Sequence, residues 1–146
     1  MPEEAPTTKL VTALALVSLA VAAIMVVFSA NFYGSDDPYF MWGVALLAVP
    51  PAAIGLLLLA PWRSLRITGG WLALLLGAWW VVSGGATVLE GVLALVTGSG
   101  PQDLVGTLLE GAVEGLLAVL NGAIFWAAVL RDRGSRTSSS PHSASG

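Results

Sequence analysis

The sequence predicts an all-α integral membrane protein: four transmembrane helices in an antiparallel bundle, with both termini cytoplasmic. Three observations carry that expectation. Of 146 residues, 56% are hydrophobic and only 10% are charged, where a soluble domain has roughly 25% charged residues. Apolar runs near the length that crosses a bilayer, about 20 residues, recur along the chain. The six basic residues sit at alternate junctions of those runs: Lys9 before the first, Arg63 and Arg66 between the second and third, and Arg131, Arg133 and Arg136 after the fourth. Lys and Arg favour the cytoplasmic side. The other two junctions, 33–39 and 98–103, have neither, and hold Asp36, Asp37 and Asp103.

Each element has its own signal. Residues 1–8 are a short polar segment. "LVTALALVSLAVAAIMVVFSANF" (10–32) is the first span. It exceeds the 7–15-residue apolar core of a secretory signal, so the chain is expected to keep it. "YGSDDPY" then turns the chain. "FMWGVALLAVPPAAIGLLLLA" (40–60) is the second span, with a kink expected at Pro50 and Pro51. "PWRSLR" (61–66) is a polar connection. The third span runs over 67–97, "GSGPQD" (98–103) is a turn, and the fourth span covers 103–130. Residues 9–131 thus form the membrane domain, and the Ser-rich stretch 132–146 is expected to be a disordered cytoplasmic tail. Tyr33, Tyr39 and Trp42 mark one interface of the bilayer, and Trp62, Trp71 and Trp126 the other.

Residues 86–97, "ATVLEGVLALVT", fit no simple span. Their small and polar positions (Thr87, Glu90, Gly91, Ala94, Thr97) recur every three or four residues, an amphipathic helical pattern. Either they extend the third helix into a long hairpin that passes the outer leaflet, or the chain breaks at Ser83-Gly84-Gly85 and they lie flat on the surface. In the hairpin, residues whose numbers add to about 201 stand level. The fourth helix carries a matching stripe: Thr107, Gly111, Glu114, Ala118 and Asn121, with Glu110 beside it. "TVLEG" (87–91) and "TLLEG" (107–111) resemble one another, too weakly in so Leu- and Gly-rich a sequence to indicate a duplication.

The candidate site is Glu90, Glu110, Glu114 and Asn121. An ionised carboxylate in the bilayer costs about 2.5–3.5 kcal/mol even on the lenient insertion scale. Three carboxylates level on two helices would hold a proton or cation between them, as in a small transporter or channel subunit. The plainer reading has them in water above the core, or hydrogen-bonded to a neighbouring helix. Asn121, deeper, is expected to bond across helices. "GAVEG" (111–115) and "SLAVA" (18–22) are small-xxx-small patterns that let helices approach. "SDDP" (35–38) is a turn, since calcium needs six to eight oxygens.

Absences narrow the function. There is no Cys, and the one His, His142, is in the tail. Disulfides, thiolate or His metal sites, and Ser-His catalysis in the membrane are therefore excluded. Apart from Asp103 at the very start of the fourth, no span contains an Asp, no Gly-rich phosphate loop with Lys occurs, and no basic patch points to nucleic acid. No cofactor is implied. The expectation is a non-enzymatic component of the cell membrane whose partners are the lipid bilayer and either copies of itself or a larger membrane complex. The alternative is a small oligomeric transporter or channel that uses the glutamates.

Overall fold

A computed structural model describes residues 6–32, 46–98 and 104–131. The described residues form four helices and no strand: α1 (Pro6–Phe32), α2 (Val49–Leu59), α3 (Arg63–Thr97) and α4 (Leu104–Phe125). A π-helical turn, Trp126–Leu130, continues α4. Three stretches, Lys9–Phe28, Arg63–Thr97 and Leu104–Leu130, are long and apolar enough to cross a membrane. α2 has 11 residues. The start of the expected second span, 40–45, lies outside the described residues, as do the Asp36–Asp37 loop and the outer aromatic markers Tyr33, Tyr39 and Trp42.

Proline decides the ends of α2. Pro50 and Pro51 occupy its first turn, where a missing N–H costs nothing because that group has no intrahelical partner. Leu46 and Leu47 before them are also helical, and the interruption falls at Ala48 (φ −77°, ψ −19°), beside the place where a kink was expected. At the other end Ala60 is extended, with φ −61° and ψ 143°, as the residue before Pro61 must be. The connection shrinks to Ala60, Pro61 and Trp62, and α3 starts four residues before the expected position, with Leu65 and Arg66 N–H both donating to the Trp62 carbonyl.

α3 then runs unbroken through Ser83-Gly84-Gly85 for 35 residues, about 52 Å at 1.5 Å per residue. The surface-lying alternative for 86–97 is therefore overturned. Glycine is a poor helix former in water, but away from water the backbone must bond to itself, and the helix is the local way to do so. The missing side chain is used as well. A Cβ on Gly84 would stand 3.1 Å from the Cβ of Glu114.

One interface dominates, between α3 and α4. Gly70, Gly77, Gly84 and Gly91, seven apart, are all buried in it. Ala128, Asn121, Glu114 and Thr107, also seven apart, face them in turn. A period of seven is the pattern of shallow-angle helix packing. These facing numbers add to 198, which centres the hairpin on residue 99, where 201 was expected. α3 stops at Thr97, as expected, and is capped by Gly98 in the left-handed region at φ 67°, a conformation glycine adopts without a Cβ penalty.

At the end of the bundle that carries Lys9, Arg63, Arg66 and Arg131, all the elements meet. Val11 and Ala15 of α1, Ile54 and Leu58 of α2, Ala73 of α3 and Ile124, Ala127, Ala128 and Val129 of α4 and its π turn form one buried cluster. Close approaches again use small residues: Gly55 against Leu19 and the Ala15 carbonyl, and Gly69 against Leu57 and Ile54. The Ser18 hydroxyl donates to the Pro51 carbonyl at 2.8 Å. Both small residues of the 18–22 pattern, Ser18 and Ala22, are buried. In the 111–115 pattern only Gly111 is buried within the chain, and Gly115 meets open space.

Candidate functional site

Polar side chains are scarce in this interior, so each buried one needs a reason. Among the described residues, Ser18, Glu114 and Asn121 are the buried polar side chains. Glu114 is 8% exposed and Asn121 5%. They lie two turns apart on the face of α4 that meets α3.

Glu114 is held by one turn of α3. The Ser83 hydroxyl donates to its Oε1 at 2.6 Å, and the Thr87 hydroxyl lies 3.2 Å from its Oε2. Thr87 Oγ1 also stands 3.1 Å from the Ser83 carbonyl, so one hydroxyl hydrogen serves two acceptors. Ser83 and Thr87 are four residues apart, one above the other on the helix. Gly84 between them has no Cβ, and the carboxyl lies against that bare backbone, with Oε2 3.4 Å from the position a Cβ would take. Both carboxyl oxygens are thus engaged by the chain itself.

Asn121 behaves differently from the expectation of a bond across helices. Its Nδ2 donates to the Leu117 carbonyl of its own helix at 2.8 Å. The residue opposite is Gly77, whose Cβ position would lie 3.1 Å from the Asn121 Cβ. Glycine offers room there and no side-chain partner, so the amide turns back by four residues.

Glu90 and Glu110 are exposed. They do not join Glu114: among the described residues no group of three or more His, Cys, Asp or Glu side chains could hold a metal ion. The carboxylates expected as one cluster therefore separate into a buried acid between two helices and two acids on the outside of the hairpin. One of the two partners of Glu114 is legible in the sequence. Thr87 is the residue expected level with Glu114 in the hairpin, and the two are in contact; Ser83, in the stretch read as a possible break, is the partner that the sequence does not single out. The signal that locates both is the glycine heptad 70, 77, 84, 91, which fixes the face of α3 turned to α4.

The π turn was also unforeseen. It buries Ala127, Ala128 and Val129 against α3, where a Cβ on Gly70 would come within 2.7 Å of Val129 Cγ2. Trp71 and Phe125 rings lie 5.1 Å apart between centroids, and Arg131 sits 5.7 Å over the Trp126 ring.

These features define the class: among the described residues, an all-helical protein with three helices long and apolar enough to cross a membrane and one buried interhelical carboxyl. Comparison with known proteins finds no matching family model, no matching curated protein and no matching solved structure.

Proposed function

We propose that this chain is a multi-pass protein of the cell membrane with four crossings and both termini cytoplasmic, acting as a non-catalytic structural or accessory component of a membrane assembly. The observation that carries the reading is the state of Glu114. Both of its oxygens are engaged by Ser83 and Thr87, which suits a bond between helices better than a carboxylate that loads and releases a passing ion. Hydrogen bonds of this kind contribute roughly 0.6–2 kcal/mol in membranes. The orientation is supported by Lys9, Arg63, Arg66 and Arg131, which share one end of the bundle, as cytoplasmic basic residues do.

The test is flux. In liposomes, the wild-type chain and Glu114→Gln are expected to show the same background proton and cation leak. Conduction by the wild-type chain that Glu114→Gln abolishes would replace this reading with a transporter or channel.

A further inference from the structure

The amphipathic pattern of 86–97 persists within a continuous α3, and its two sides are matched on α4. The similar pentapeptides 87–91 and 107–111 face one another. A Cβ on Gly91 would touch the Thr107 and Leu108 side chains at 3.6 Å, and a Cβ on Gly111 would meet Thr87 at 3.8 Å and Val88 at 2.8 Å. These contacts are reciprocal, so a local two-fold axis perpendicular to the hairpin relates the segments and keeps equivalent positions on one broad face. Glu90 and Glu110 are equivalent and share a face. Glu90 lies three heptads after Gly69, which packs against Leu57 and Ile54 of α2. Glu110 lies two heptads before Ile124, which is buried with Val11 and Ala15 of α1. α1 and α2 thus cover this face at the basic end, and the acids stand on it at the other. At 3.6 residues per turn, Val92 is about 160° around α3 from Glu90, and Ala112 about 160° around α4 from Glu110. They belong to the opposite broad face. There, every seventh residue from Trp71 to Val92 and from Val105 to Trp126 is exposed, and a Cβ on Gly85 would meet nothing within 4 Å.

Lipid fits this bare face, because those two lines hold only Trp, Ala, Gly and Val and run without interruption from mid-span to the hairpin end. Trp71 and Trp126 mark its inner end, as interfacial aromatic rings do. From there an upright hairpin would leave a hydrocarbon layer of about 30 Å after roughly 20 residues, near residue 91 of α3. Glu110, level with residue 88, would still be inside, and Val96 and Val105 would be outside. A lean of about 30° toward the bare face, within the range of membrane helices, lengthens the path on that face to about 23 residues, near residue 94. Across a helix diameter of about 10 Å, the opposite face then leaves the hydrocarbon about four residues earlier, near Glu90. From the apolar face, the acids opposite it and these lengths, we infer that the α3/α4 end docks by its bare face on the outer leaflet. Val92 lies at the boundary between acyl chains and headgroups, Val96 reaches the hydrated headgroups, and the acid face stands toward water. Amphipathic surfaces seat in a membrane interface in this way. The inference rests on the membrane-component reading above and adds the lipid surface on which the hairpin end lies.

The chain has no Cys, so Val92→Cys and Glu90→Cys each give a unique labelling site, at nearly the same height and on opposite sides of α3. Each full-length variant carries an environment-sensitive fluorophore in phosphatidylcholine nanodiscs. It is quenched by iodide from the water and by a nitroxide on the lipid chain just below the headgroups. The label at position 92 is expected to be quenched by the lipid nitroxide about threefold more than the label at position 90, and by iodide about threefold less. The equivalent pair on α4, Ala112→Cys and Glu110→Cys, is expected to behave in the same way, and circular dichroism confirms that each variant keeps its helix content. Equal quenching at opposite sides, or stronger iodide quenching on the apolar side, overturns the docking proposal. So does shielding of position 92 from both quenchers, which would mean that a second copy of the chain covers the face. Val119→Cys, in mid-span, registers the membrane reading separately. Iodide quenching there overturns that reading, whereas lipid quenching there with no difference between positions 90 and 92 overturns the lean alone.

Discussion

Replacing Glu114 by Leu removes both bonds that α4 makes to Ser83 and Thr87 while keeping an apolar side chain of similar length. At roughly 0.6–1.7 kcal/mol for each interhelical bond in a membrane, the loss is about 1–3 kcal/mol. The midpoint, about 2 kcal/mol, is a change of roughly thirtyfold in the unfolding equilibrium. Thr87 keeps its contact with the Ser83 carbonyl, so the loss falls mainly on Ser83. Glu114→Gln is the control. Its amide oxygen accepts from Ser83, and its amide N–H donates to Thr87 Oγ1, whose hydrogen then goes to the Ser83 carbonyl. Both hydroxyls keep a partner, and the variant should stay within about 0.5 kcal/mol of wild type. Reversible unfolding in bicelles measures both, and a cycle with Ser83→Ala isolates the pair. If Glu114→Leu is as stable as wild type, the carboxyl is not a bond between helices. If Glu114→Gln falls as far as Glu114→Leu, charge matters more than hydrogen-bond geometry, and the structural account of the site is wrong.

The remaining predictions concern packing. Gly84→Val and Gly111→Val force atoms into contacts that already measure 3.1 Å and 2.8 Å for a bare Cβ, and each should destabilise the same unfolding transition by about 1–3 kcal/mol. Gly122→Ala, at a glycine with nothing within 4 Å, should be neutral or stabilising by up to about 1 kcal/mol; a loss would show a neighbour on that side. Gly85→Pro should break α3 at a cost of about 3 kcal/mol or more, lowering helix content and assembly together; a variant that assembles unchanged would contradict a continuous α3. Ser18→Ala removes the 2.8 Å bond to the Pro51 carbonyl and should cost about 1 kcal/mol.

What could be read in advance follows from how local each cause is. The hairpin of α3 and α4, and the stripe holding Gly111, Glu114 and Asn121, are visible because apolar runs and helical periodicity are local properties. The continuity of α3 is not, because Ser83-Gly84-Gly85 taken alone favours a break. It becomes helical through Glu114, thirty residues on, lying against the bare backbone. The interruption at Ala48 beside Pro50 and Pro51 is legible because its cause is local: proline removes a helical bond whatever surrounds it. The π turn at 126–130 leaves no pattern in "WAAVL"; its register answers to Gly70 across the interface. The register of 198 is set where Gly70, Gly77, Gly84 and Gly91 let α4 approach, a contact between segments far apart in sequence. The glycine heptad could have been found by counting, and it would have predicted which of the acids is buried.

The most direct test of the account is thiol accessibility at two engineered sites in the otherwise cysteine-free chain. In intact cells, Gly85→Cys, which the proposed topology places within the bilayer, should not react with a membrane-impermeant maleimide from either side, while Val96→Cys at the hairpin end should react from outside. Reaction at Gly85→Cys would show that the outer side of α3 at this level stands in water and would contradict its placement in the bilayer. Protection of Val96→Cys, or its reaction only from the cytoplasm, would contradict the placement of the hairpin.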